Sequence, residues 1–139
     1  MNHFVYEELR VGQEESFSVK VSEEMLDSFC RITGDVNPLH RDSEFAKRHH
    51  FPDRVVYGML TSSFLSTLAG VYLPGERCLI QSVETKFIAP VFIGDVLLVA
   101  GRISELNDSV RRIVVKVTIT NQHGKKVLRG IMKLGVLQE

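Results

Sequence analysis

The sequence predicts a two-layer α+β protein in which an antiparallel sheet packs on one strongly apolar helix. Residues 55 to 73 carry no charge and spread Met59, Leu60, Phe64, Leu65, Leu68 and Val71 around nearly every helical face, the pattern of a helix buried on all sides. After Gly75, four segments rich in β-branched residues read as strands: roughly Cys78 to Ala89, Val96 to Ser104, Val110 to Asn121 and Lys125 to Val136. The turn formers Gly94-Asp95, Asn107-Asp108 and His123-Gly124 separate them, and the two later turns predict hairpins.

The elements ahead of that helix follow from local chemistry. Glu15 to Val21 alternates weakly and predicts a strand joining the sheet from the other end of the chain. Ser22 is placed to cap a helix whose first turn holds Glu23 and Glu24, favourable to its dipole, and whose apolar face is Met25, Leu26, Phe29 and Ile32. The polar, irregular segment from Asp42 to Arg54 reads as a loop or short helical overhang, a place that often carries function. Pro90 cannot donate to a central ladder, so it belongs at a bend where the Cys78 strand leaves the sheet.

Composition bounds the function. A length of 139 residues and 44% hydrophobic content suit one domain, residues 1–139, with a real core. Seventeen basic and seventeen acidic residues cancel, which removes the overall attraction expected of a nucleic-acid binder. Cys30 and Cys78 lack metal-ligand spacing and read as reduced thiols in a reducing compartment. The start of the chain has neither a basic head nor an apolar signal core, and no apolar run reaches the about 18 residues of a membrane span. A soluble, cytoplasmic protein is expected.

Chemistry concentrates in Gly34-Asp35-Val36-Asn37-Pro38-Leu39-His40-Arg41-Asp42, where a carboxylate and an imidazole stand five residues apart across a proline-stiffened turn. Pro38 sets its own φ and biases Asn37 toward extended geometry, so Asp35 and His40 can face one cavity without sharing a helix face. That is minimal equipment for moving a proton onto and off a substrate. The same residue types also make ordinary turns.

The stretch Phe29-Cys30-Arg31-Ile32-Thr33-Gly34-Asp35-Val36-Asn37-Pro38-Leu39-His40, followed by Phe45-Ala46 and Val55-Val56-Tyr57-Gly58-Met59-Leu60, resembles the (R)-specific enoyl-CoA hydratases of the MaoC-like family. The resemblance runs from about Val5 to the last strand. It implies a hot-dog fold, a curled antiparallel sheet wrapped around a long central helix, assembled as a homodimer or higher homo-oligomer with active sites at the subunit boundary. It implies syn addition of water to a trans-2-enoyl thioester, giving an (R)-3-hydroxyacyl thioester, with Asp35 and His40 handling the protons. Gly58, Ser66, Asn37 and Tyr57 are the implied oxyanion and substrate-contacting positions. No metal or redox cofactor is expected, coenzyme A being part of the substrate.

Alternatives stay open beside these assignments. Gly58 equally permits close packing of helix and sheet. Ser66 can bond its own i−4 carbonyl. Tyr57 departs from the family, which commonly has His-Gly-Met here, and so bears on packing and hydrogen bonding at the pocket mouth. Lys47, Arg48 and Arg54, with His49 and His50, can meet the phosphates of coenzyme A or simply form a solvated surface. His40, Asp42, His49 and His50 lack a recognisable zinc spacing.

Two other functions compete. His50-Phe51-Pro52 looks like the His-Phe-Pro motif of hot-dog 3-hydroxyacyl-carrier-protein dehydratases, which pair that histidine with an acid on the following helix. No Asp or Glu occurs from Val55 through Gly75, so that mechanism lacks its second group. A non-catalytic acyl-thioester-binding module would keep the tunnel without needing the Asp35–His40 pair.

Overall fold

The computed structural model describes residues 1–138. A 3₁₀ turn at Tyr6–Glu8 precedes strand β1, Glu14–Lys20. Three helices follow: α1, Glu23–Thr33; α2, Pro38–Arg41; and α3, Ser43–Arg48. Helix α4, Gly58–Thr67, runs on into a wider π-helical stretch, Leu68–Tyr72. Four strands complete the chain: β2, Cys78–Phe87; β3, Val96–Asn107; β4, Arg112–Thr120; and β5, Lys126–Val136.

All pairings are antiparallel, in the order β1-β3-β4-β5-β2. The first strand therefore occupies one edge and β2 the other. Period-two alternation turns Leu97, Val99 and Ile103 of β3, Ile113, Val115, Val117 and Ile119 of β4, and Leu128, Met132 and Leu134 of β5 inward. They form one cluster with Leu60, Leu65, Leu68 and Ala69 of the central helix. Burying each such branched side chain stabilises the fold by about 1.5–3 kcal/mol.

Two expectations are corrected. The apolar helix starts at Gly58 rather than Val55, because the backbone of the preceding residues is already paired: Val55 bridges Phe92, and the Val56 N–H donates to Val91 O at 2.8 Å. Nor is that helix buried on every side. Met59 is 63% exposed, and Ser63 and Ser66 are exposed as well, since the sheet covers only one flank of α4 in the single chain. The segment from Asp42 to Arg54 supplies the short overhang helix α3. Edge strand β2 leaves Leu79, Ile80, Val83 and Phe87 exposed, with Ile88 just beyond its end.

Candidate active site

Helix α1 delivers the chain to the site and stops abruptly. The Ser22 side chain accepts from Met25 N and begins the helix, while Gly34 ends it in the left-handed region, φ 74°, with its N–H on Cys30 O at 2.8 Å. Past this stop the Asp35 N–H donates to Thr33 Oγ1 at 3.2 Å, and one Asp35 carboxylate oxygen accepts from Asn37 N at 3.1 Å. The carboxylate is exposed yet aimed, leaving its other oxygen for chemistry. Asn37 caps α2 by accepting from Leu39 N at 3.0 Å, with Pro38 at the first helical position, where its missing N–H costs nothing.

His40 sits on that short helix with its Nδ1 2.7 Å from Val55 O. A carbonyl oxygen can only accept, so Nδ1 carries the proton, and in the neutral ring Nε2 is the free acceptor. The Arg54 Nε–H donates to His40 O at 2.9 Å, and Arg54 Nη1 pairs with Glu23 at 3.0 Å. Arg41 pairs with Asp27 at 2.8 Å and ties α2 to α1.

Tyr57 lies beneath this pair rather than at the mouth of the pocket. It is 1% exposed, its ring stands 4.3 Å from His40 and 4.6 Å from Phe29, and its hydroxyl donates to Asp35 O at 2.6 Å. Burial above all, then the hydrogen bond with Cys30, raises the phenol above its ordinary value, so Tyr57 stays a neutral donor. Gly58 follows as the first residue of α4, where N–H groups have no intrahelical partner and carry the positive end of the helix dipole.

Asp35, His40, Tyr57 and Gly58 line one cleft of about 480 Å³ together with Phe29, Thr33, Met59 and Phe87. An apolar chamber of about 310 Å³ adjoins it, walled by Phe51, Val55, Val91 and Val127 among others and sharing His40, Gly58 and Phe87 with the cleft. The arrangement brings a carboxylate, an imidazole and the N-terminus of a helix to one cleft, with carbon surface beyond them.

Other singled-out residues sit apart. Ser66 is exposed and lines neither cavity, and Asn37, whose Oδ1 serves its cap, also lines neither. Lys47 and Arg48 are exposed on α3, the latter stacked over Phe45 at 5.7 Å, whereas Arg54 is committed to His40 and Glu23. Sequence reasoning missed the Arg54 clamp and the presence of Phe29, Thr33 and Phe87 in the cleft. For Phe87 the signal was an aromatic residue just ahead of the Pro90 bend. Among the described residues no group of three or more His, Cys, Asp and Glu side chains is placed to hold a metal ion.

A curled antiparallel sheet packed on one central helix is the hot-dog fold; a TM-score of 0.91 relates the chain to the unliganded R-hydratase of Pseudomonas aeruginosa, 30% identical over 97% of this chain and 86% of that one. The family model described as "MaoC like domain" matches residues 8–127, and the chain belongs to that family. It is 36% identical to the 3-hydroxybutyryl-CoA dehydratase of Methylorubrum extorquens, over 77% of this chain and 68% of that protein. It is 30% identical to the (R)-specific enoyl-CoA hydratase of Rhodospirillum rubrum, over 90% and 86%. The protein is a hydro-lyase of the hydratase and dehydratase type.

Proposed function

We propose that the chain catalyses reversible (R)-specific hydration of trans-2-enoyl-CoA thioesters, with Asp35 and His40 as the proton-handling pair. One observation carries the reading: the Asp35 side chain and the His40 ring line a single cleft with the N-terminus of α4. A water held between a carboxylate and the free Nε2 meets two acceptors, which aims its lone pair at the electrophilic β-carbon. Asp35 takes one proton from that water as its oxygen adds to the β-carbon, the other hydrogen, held by His40 Nε2, stays on the new hydroxyl, and Asp35 returns the proton it took to the α-carbon on the same face, leaving both groups as they began. Dehydration runs these transfers backward.

Negative charge grows on the thioester oxygen as the β-carbon is attacked. The Gly58 N–H, preorganised at the start of α4, is the donor assigned to it. Lys47 and Arg48 on the overhang are the groups assigned to coenzyme A phosphates, at a strength that salt would weaken. The assigned partner is a second copy of the chain, because edge strand β2 offers unpaired backbone flanked by exposed Leu79, Ile80 and Val83. The assigned compartment is the cytoplasm. No helix among the described residues is long and apolar enough to cross a membrane.

Loss of enoyl absorbance with crotonyl-CoA and longer trans-2-enoyl-CoA substrates tests the reading, with chiral analysis of the product. A general acid–base group contributes about 10²–10⁴-fold, so folded Asp35→Asn and His40→Ala variants are expected to fall by that much. An (S)-product, or variants as fast as wild type, would overturn the assignment. Parallel assays with carrier-protein thioesters decide the carrier, and light scattering decides the oligomer.

A further inference from the structure

The reactive cleft and the apolar chamber have three lining residues in common, His40, Gly58 and Phe87. The shared boundary thus consists of an imidazole, a helix N-terminus and an aromatic ring. The Phe87 ring lies across the first turn of α4: its Cε1, Cδ1 and Cζ stand 3.1, 3.3 and 3.4 Å from the point where a Cβ on Gly58 would be. Phe87 closes β2, and the residues after it, Ile88 to Val91, line the chamber but not the cleft. The ring is the element of the sheet edge that faces both spaces.

Consider a thioester with its carbonyl oxygen on the Gly58 N–H and its unsaturated carbons beside His40. Its tail gains most from the side walled by Phe51, Val55, Ile88, Val91 and Val127, all carbon surface. To reach that side the tail crosses the Phe87 ring at the level of the reacting carbons. A flat, unbranched enoyl segment is narrow there. A methyl group on the α- or β-carbon widens the substrate where ring, imidazole and helix turn already stand, and such overpacking is costly.

We propose that Phe87 is a specificity-determining residue, a partition that admits trans-2-enoyl thioesters unbranched at the α- and β-carbons and excludes those methylated there. The inference rests on the hydratase reading. Its occupant is a linear acyl tail in the apolar chamber, and its selectivity comes from one ring rather than from the proton-handling pair.

The test compares kcat/KM for crotonyl-CoA with that for its 2-methyl and 3-methyl derivatives in wild type, Phe87→Ala, Phe87→Leu and Phe87→Trp. The intrinsic reactivity of each substrate cancels between variants, so the discrimination ratio isolates the pocket. Pocket contacts of methyl size discriminate by about 10–200-fold. The ratio is expected to fall by about 10-fold or more in Phe87→Ala, by less in Phe87→Leu, and to rise in Phe87→Trp. A ratio unchanged across the folded variants would overturn the partition while leaving hydration standing. Calorimetric binding of butyryl-CoA against 2-methylbutyryl-CoA reads the same ratio without chemistry. A wild type that hydrates nothing yet shows the ratio shift in binding would therefore sink the hydratase reading and keep the partition. Should Phe87→Ala fail to fold, the Leu and Trp variants decide with opposite expected signs.

Discussion

The Tyr57 hydroxyl donates to the backbone carbonyl of Asp35 at 2.6 Å, joining two segments 22 residues apart in sequence. The same ring packs against His40, so one buried side chain holds both members of the proposed pair in register. Tyr57→Phe removes one buried hydrogen bond and is expected to cost about 1 kcal/mol of stability. Because small misplacements of reacting groups slow catalysis steeply, kcat is expected to fall by about 10-fold or more with KM nearly unchanged. Steady-state kinetics beside urea denaturation separates the two effects, and an unaltered kcat would show that the hydroxyl serves folding alone.

Gly58→Ala tests the helix N-terminus. The new methyl would stand 3.1 Å from the Phe87 ring, a tight contact that costs some stability but lies at the far end of one side chain, so the fold is expected to survive. The methyl then intrudes at the position proposed for the thioester oxygen. The N–H itself remains, so the loss in kcat is expected to reach at most about 10²–10³-fold, the cost of removing such a donor outright. Circular dichroism of the variant supplies the control.

Arg54 is a scaffold cation. Its side chain is 13% exposed, and its Nε holds the His40 carbonyl while Nη1 meets Glu23. Arg54→Met leaves that carbonyl without its charged donor and is expected to cost about 1.5–3 kcal/mol. Glu23→Gln, at the exposed end of the pair, is expected to cost less than about 1 kcal/mol. Denaturant midpoints of the two variants check the asymmetry.

Alkaline stability has a specific source in Tyr6, whose hydroxyl donates to Asp108 at 2.6 Å. Burial first, then that hydrogen bond, pushes the phenol from 10.0 up to about 12. A pKa raised on folding means the native state holds its proton longer than the unfolded chain does, so stability falls with pH across that interval. This contribution is complete below pH 10 and is lost as pH rises toward 12. Tyr6→Phe is expected to be less stable at neutral pH and to show a flatter decline between these limits, read from denaturation midpoints at stepped pH.

Much of the fold was legible because its signals are local. The Ser22 cap, the β-branched strands and their turns each need only neighbouring residues, and their elements formed where expected to within a few positions. The helix start was misjudged by three residues, because Val55 and Val56 are apolar enough for a helix yet pair with Val91 and Phe92 far along the chain. The expected burial of its whole circumference failed for a related reason: periodicity reports which residues are apolar but not what covers them.

Within the site, local sequence accounts for the presence and spacing of Asp35 and His40, since Gly34, Asn37 and Pro38 shape a turn through steric preferences that operate over a few bonds. Tertiary structure alone decided the tautomer of His40, through a carbonyl 15 residues away, and the burial of Tyr57 beneath the pair. It also decided that Arg54 is spent on the scaffold and that Phe87 borders the cleft. Each of these depends on which distant backbone or side chain arrives within hydrogen-bond or van der Waals reach, a property of the closed chain that no local pattern encodes.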